Sequence, residues 1–335
     1  MSAVRHAIIT GTGHAIPSRL VTNDELAAAL REDIHPFVEQ TLGINQRYWC
    51  TDSESTATLA AEAGRRALAA AGKSPLDVDL LIVTTDTPEF ISPPTSSVVH
   101  RDLGTTRAGT FDLNAGCAGF VTALDAAWKY IRADEQYRCI LVIGAYAMSK
   151  FLDVTDKKTV TIFADGAGAC VVEASDREGV MASELFADGT LCEGMGVFAG
   201  GTRTPITPQV IAEGRFNKLR FIQKYPSSVN EEGWPRIVRS VLAKIGKTEG
   251  DVDHWLWTQV NRSTIVLVME KIGQPLAKAH TIMGQWGYTG SACLPMALDD
   301  ANAKGLLKDG DLIVFTGSGA GLAMGCVAMT WRTAR

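Results

Sequence analysis

Cys117 is the residue of this 335-residue chain whose surroundings best suit covalent chemistry. An apolar run, Thr110-Phe111-Asp112-Leu113, ends in a small-residue turn, Asn114-Ala115-Gly116, and Cys117 follows directly. Beyond it, Phe120, Val121, Leu124, Ala127 and Trp128 recur at helical spacing, so the stretch to Tyr130 reads as a buried helix. Cys117 then sits at or near the first turn of that helix, on a strand-to-helix bend. Unpaired N–H groups and the positive end of the helix dipole point at that place. A thiolate there is expected to have a pKa below the free value of about 8.5. The same local pattern also suits a buried, inert thiol, the common fate of a free cysteine. The elements around Cys117 must therefore decide between the two.

The composition bounds the answer. The other cysteines are Cys50, Cys139, Cys170, Cys192, Cys293 and Cys326, with no CxxC and no His/Cys cluster at zinc spacing. A disulfide framework or a structural metal is not expected, and the chain reads as reduced and cytoplasmic. The net charge of -5 argues against a nucleic-acid partner. No apolar run is long enough for a membrane span, and the N-terminus lacks the apolar core of a signal peptide. The GTGHA at 11–15 is an incomplete dinucleotide fingerprint and is discounted.

The positioning elements alternate between strands and helices. A short strand is expected at Ala7–Thr10, followed by a glycine turn. Helices are expected at 23–31, with Asn23 as its cap, and at 56–72, ending at Gly72. The run VDLLIVTT at 78–85 and the run at 140–143 read as buried strands. A repeat underlies this order. Lys73–Asp79 resembles Lys247–Asp253, Gly72 corresponds to Gly246, and Ala123-Leu124-Asp125 corresponds to Ala297-Leu298-Asp299, all at an offset of 174. Gly166-Ala167-Gly168 resembles Gly319-Ala320-Gly321 at an offset of 153. The chain thus reads as two similar α/β halves of stacked sheet and helix layers. They are an N-terminal half at 1–175, a connecting or flap segment at 176–224 and a C-terminal half at 225–335. The mate of Cys117 in this symmetry is Ser291. Residues near 258 and 288 are expected to approach Cys117. Within residues 203–224, Arg203, Arg215, Lys218, Arg220 and Lys224 stand against a single acid, Glu213. That basic excess suits a solvated amphipathic segment, or a flap that receives phosphates or an acidic carrier protein.

Motifs spread along nearly the whole chain carry a family resemblance. DLNAGCAGF at 112–120, FADGAGACVVEAS at 163–175, GYTGSACLPMALDDA at 287–301 and GDLIVFTGSGAGLAMGCVAMTW at 310–331 resemble the ketoacyl synthase III group of the thiolase superfamily. GTGHAIPSRLVTNDEL at 11–26 and LGINQRYW at 42–49 fit the same group. The resemblance implies a thiolase-like, five-layered αβαβα fold with two pseudo-symmetric halves, and a homodimer. It implies that Cys117 is acylated by an acyl thioester of coenzyme A or acyl carrier protein, with no permanently bound cofactor. It also implies an oxyanion hole formed by the N–H groups of Cys117 and Ala320.

The sequence departs from the family pattern at two places. The family's His, in a His-Gln-Ala-Asn stretch, corresponds to Thr258 in Thr258-Gln259-Val260-Asn261. The family's Asn, in a Gly-Asn-Thr-Ser stretch, corresponds to Tyr288 in Gly287-Tyr288-Thr289-Gly290. His254 is four residues before Thr258, about 3.3 Å per residue along a strand, and is too distant to substitute. Thr and Tyr hydroxyls each still donate a hydrogen bond, but neither titrates near pH 7. Hydrogen-bond stabilisation of an enolate is retained while a general base is lost, a change worth about 10²–10⁴ in rate. At the coenzyme-contacting positions the resemblance points to Phe37, Asn261 and Arg262, while a family Arg is replaced by Thr41. Three readings follow. The first is an acyltransferase that condenses acyl-Cys117 with a malonyl-type extender on acyl carrier protein or coenzyme A. The second passes the acyl group to an alcohol or amine, or condenses without decarboxylation, for which Glu89 is a weak candidate base. The third is a non-catalytic partner subunit.

Overall fold

The computed structural model describes residues 5–333. Nine strands build two sheets. The first contains β1 (His6–Ala15), β2 (Leu80–Thr84), β3 (Gly109–Leu113), β4 (Cys139–Ala147) and β5 (Asp165–Ser175), in the order β1-β5-β4-β2-β3. The second contains β6 (Val180–Ala187), β7 (His254–Trp257), β8 (Leu312–Gly319) and β9 (Ala323–Thr330), in the order β7-β8-β9-β6. Helices α1 (Thr56–Ala70) and α2 (Thr95–Leu103) cover the outer face of the first sheet. Between the sheets lie α3 (Gly119–Ala133) and α6 (Cys293–Ala303), while α4 (Gly233–Lys244) and α5 (Arg262–Lys271) lie beyond the second sheet. The result is the five-layered thiolase-like αβαβα arrangement.

The middle layer explains the apolar spacing around Cys117. Phe120, Val121, Leu124 and Ala127 of α3 are fully enclosed, and Trp128 is buried beside them. α3 touches β4 and β2 of one sheet and β8 and β9 of the other. An apolar side chain enclosed on all sides in this way contributes about 1.5–3 kcal/mol.

The repeat is visible in the element starts. β1 and β6 begin at residues 6 and 180, β2 and β7 at 80 and 254, and α3 and α6 at 119 and 293, each pair 174 apart. β6 lies inside 176–224 and pairs with β9, so that segment supplies the edge strand of the second sheet. The rest of the segment forms a small hairpin, Met195–Val197 against Leu219–Phe221, with a short helix at Pro208–Ala212.

Two local expectations are corrected. The first strand does not stop at Thr10 before a glycine turn but runs to Ala15. Gly11 and Gly13 pair with Val171 and Ala169 inside it. Their missing side chains let α1 lie close on the strand, since a Cβ on Gly13 would sit 2.5 Å from the Ala67 amide nitrogen. The helix at Asn23–Leu30 is capped by Thr22, whose Oγ1 accepts from the Glu25 N–H. Asn23 is instead buried and donates to Glu39 and to the Ile44 carbonyl.

Candidate active site

The Cys117 bend is built from glycines and backbone. Gly116 has φ 52, a left-handed conformation that glycine adopts without strain, and its N–H donates to the Asn114 side chain at 3.0 Å. The Ala118 and Gly119 N–H groups then bond back to Ala115 and Gly116. α3 starts only at Gly119, two residues after the thiol, with no side-chain cap. The Gly319-Ala320 turn after β8 lies against this bend. A Cβ on Gly116 would be 3.0 Å from the Ala320 nitrogen, and one on Gly319 would overlap the Cys117 nitrogen. This packing brings the Cys117 and Ala320 backbones together from opposite halves of the chain. Both residues line one cavity of about 400 Å³ with Tyr288.

Tyr288 is held by main-chain bonds, Tyr288 N to Ile162 O at 3.3 Å and Ala164 N to Tyr288 O at 2.8 Å. Its ring stands 5.6 Å from that of Phe163, and it lines the cavity together with Cys117. Burial raises the Tyr288 hydroxyl well above its ordinary pKa, so it stays a neutral donor. The expected lowering of the Cys117 pKa is overturned. Burial, and to a lesser degree the charge of Asp86, push the thiol well above its ordinary value, and the neighbouring Tyr288 hydroxyl opposes this. A helix terminus supplies at most about 2 kcal/mol, or about 1.5 pKa units. Full burial is worth about 3–5 units and wins. Cys117 rests as a neutral thiol.

Thr258 does not face the cavity. It is 1% exposed, its N–H donates to Thr316 O at 3.0 Å, and its Oγ1 accepts from the Ser318 N–H at 3.0 Å. It thus holds the strand that leads into the Ala320 turn. Ser318 and Asn230, which the sequence did not single out, do line the cavity, and the Ser318 hydroxyl donates to Asn230 Oδ1 at 2.8 Å. Asn230 comes from the segment before α4, and no local pattern links it to Cys117.

The coenzyme-contacting residues are divided. Asn261 reaches the cavity rim but caps α5, its Oδ1 accepting from Ser263 N at 2.9 Å and Ser263 Oγ at 2.7 Å. Arg262 lines a separate depression with Glu39 and Gly43. Phe37 lies 40% exposed on the neighbouring helical turn. Glu89 accepts from the Ala57 N–H at the start of α1, and His254 pairs with Asp311 at 3.0 Å. Neither lines the cavity. Ser291, the mate of Cys117, is enclosed and donates to Ala145 O at 2.9 Å and Thr84 O at 3.3 Å. Among the described residues no group of three His, Cys, Asp or Glu is placed to hold a metal, and no helix is long and apolar enough to cross a membrane.

A buried thiol beneath a backbone turn from the other half, within two sheets of this topology, defines an acyltransferase of thiolase-like fold. Sequence comparison makes that class narrower. Residues 111–189 match the model of 3-oxoacyl-[acyl-carrier-protein] synthase III, and residues 242–331 match its C-terminal model. The beta-ketoacyl-[acyl-carrier-protein] synthase III of Synechocystis sp. is 33% identical over 324 residues, 96% of this chain and 97% of that protein. The 3-oxoacyl-[acyl-carrier-protein] synthase III of Aquifex aeolicus VF5 superposes with a TM-score of 0.87 at 29% identity, covering 97% of this chain and 100% of that one. The priming β-ketosynthase of the R1128 polyketide pathway superposes with a TM-score of 0.91 at 27% identity, covering 100% of this chain and 99% of that one. The chain belongs to the 3-oxoacyl-[acyl-carrier-protein] synthase III family and is a condensing acyltransferase of that kind.

Proposed function

We propose that the protein loads an acyl group from coenzyme A or acyl carrier protein onto Cys117 and condenses it with a malonyl-type extender, as a priming step. The observation that carries this is the juxtaposition of the Cys117 thiol with the Ala320 turn in one cavity. In this reading the N–H groups of Cys117 and Ala320 hold the oxyanion that forms when the sulfur attacks the thioester carbonyl. Tyr288 and Thr258 stand where relatives of the pattern have Asn and His. Tyr288 brings a neutral hydroxyl into the cavity of Cys117, and Thr258 acts as a positioning residue through the Ser318 N–H. Asn261, Arg262 and Phe37 meet the carrier arm on its way in. Two copies form the working homodimer; the exposed apolar tip of Phe90 and Ile91 on the loop after β2 supports such a contact, and sedimentation would measure it.

One observation favours a second acceptor. Thr258 lies outside the cavity, so it offers no donor to an extender's carbonyl, and Tyr288 is left as the one replacement residue that lines it. Acyl transfer to an alcohol or amine, or a non-decarboxylative condensation, needs no such donor. Intact-protein mass spectrometry with a panel of acyl thioesters tests the first half-reaction as an adduct on Cys117. Adding malonyl carrier protein and following carbon dioxide tests the second. An adduct without carbon dioxide selects the alternative acceptors, and no adduct with any thioester leaves a non-catalytic partner subunit.

A further inference from the structure

A neutral, buried thiol needs a proton acceptor when it attacks a thioester, and neither Thr258 nor Tyr288 is one. The register of the first sheet locates a candidate. In β2, Leu80 and Ile82 belong to the core that contains Cys117, while Leu81 and Val83 pack in the outer core under α1. The alternation continues past the strand end. Thr85 and Thr87 bond to each other at 3.2 Å on the outer side, where Thr56 of α1 meets Thr87. Thr84 lies on the inner side, where a Cβ on Gly119 would overlap its hydroxyl. Asp86, two residues on, follows Thr84 toward the layer of Cys117. β2 and β4 are parallel with Thr84 opposite Gly144, so the same step brings Asp86 level with Tyr146. β3 pairs Leu113 with Thr84 on the other side, and its chain continues into the Cys117 bend. Asp86 thus stands at the carboxyl edge of the central strand, between the strand ends that carry Tyr146 and Cys117.

The polar groups there are unsatisfied. Asp86 Oδ1 is enclosed without a hydrogen-bond partner, although part of the residue reaches the surface. The Tyr146 hydroxyl and Thr84 Oγ1 are also enclosed without partners. Three such atoms therefore gather around the end of β2.

We propose that the Asp86 carboxylate is the general base that takes the proton of the Cys117 thiol. The role rests on the acyl-Cys117 reading above. As the sulfur–carbon bond forms, the S–H proton passes to Asp86 and the carbonyl electron pair moves onto the oxygen held by the backbone N–H groups. Collapse of that intermediate breaks the carbon–sulfur bond of the donor, and the leaving thiolate recovers the proton from Asp86. Burial pushes the Asp86 carboxyl up to about 6, so it is ionised and still basic at neutral pH. The titratable groups that face this cluster are Cys117, Tyr146, Tyr288, Cys293 and Asp165, and none is cationic.

The test is the rate of adduct formation on Cys117 with acetyl-, butyryl- and octanoyl-coenzyme A from pH 5 to 8. In the wild type the rate should rise with deprotonation of one group near pH 6. Asp86→Asn should slow acylation at pH 7.5 by about 10²-fold and flatten the profile, and Asp86→Glu should recover part of the rate with a shifted profile. Asp86→Asn acylated at the wild-type rate with an unchanged profile overturns the role. If Asp86→Asn does not fold, the Asp86→Glu profile decides: an inflection identical to that of the wild type overturns the role as well. A wild type that forms no adduct refutes the acyl-Cys117 reading itself, a separate outcome, and the base role falls with it.

Discussion

Cys117 and Ser291 occupy matching places in the two halves, each two residues before a helix of the middle layer. Both are buried, at 2% and 0% exposure. They differ in what lies over them. Around Cys117 the opposite half contributes the glycine turn and Tyr288, and a cavity of about 400 Å³ opens beside the sulfur. Above Ser291 lie the ends of β2 and β4, and the hydroxyl is consumed by the carbonyls of Thr84 and Ala145. The same bend therefore serves chemistry in one half and cohesion in the other. A position on a strand-to-helix bend is not enough to make a nucleophile; open space and an unspent proton acceptor are also required.

The largest expected effect breaks the comparison directly. Cys117→Ala should abolish the acyl adduct in intact-protein mass spectrometry while leaving the melting temperature nearly unchanged. Ser291→Ala should do the reverse. It leaves two buried carbonyls short of a donor, at a cost of about 1–3 kcal/mol in urea denaturation, and it should acylate at close to the wild-type rate. Equal loss of acylation in the two variants would end the functional distinction.

A third expectation concerns pH. The raised Asp86 pKa means that its contribution to stability is present below its unfolded value near 4 and is lost as the pH rises through about 6. Between pH 5 and pH 8, Asp86→Asn should therefore gain about 1 kcal/mol on the wild type in urea midpoints. Ser291→Ala keeps Asp86 and should run parallel to the wild type over this range. The smallest effect belongs to Tyr288→Phe. Losing the hydroxyl that shares the cavity with the sulfur should slow acylation by up to about tenfold, the worth of roughly 1 kcal/mol, with carbon dioxide release measured in parallel.

The Cys117 bend and the repeat were legible because both are local or periodic. Small residues before a helical apolar run mark the bend, and one offset recurs through the chain to align strand and helix starts. The thiol's raised pKa was not legible, since it depends on how completely two distant segments enclose the sulfur. Thr258 was placed by motif spacing, but its side-chain direction is fixed by the Ser318 N–H on a neighbouring strand. Gly11 and Gly13 read as a turn because glycine signals both turns and close packing, and only the position of α1 separates the two. Asp86 was overlooked because its neighbours are set by parallel register, which leaves no trace in local spacing.

α3 and α6 touch strands of both sheets, so the middle layer belongs to neither half. A chain cut between Ser175 and Val180 would leave α3 on its own sheet but take from α6 its contacts with β1 and β5. The two halves share one order of elements, yet the middle layer ties them together: a lesion in either is felt by both.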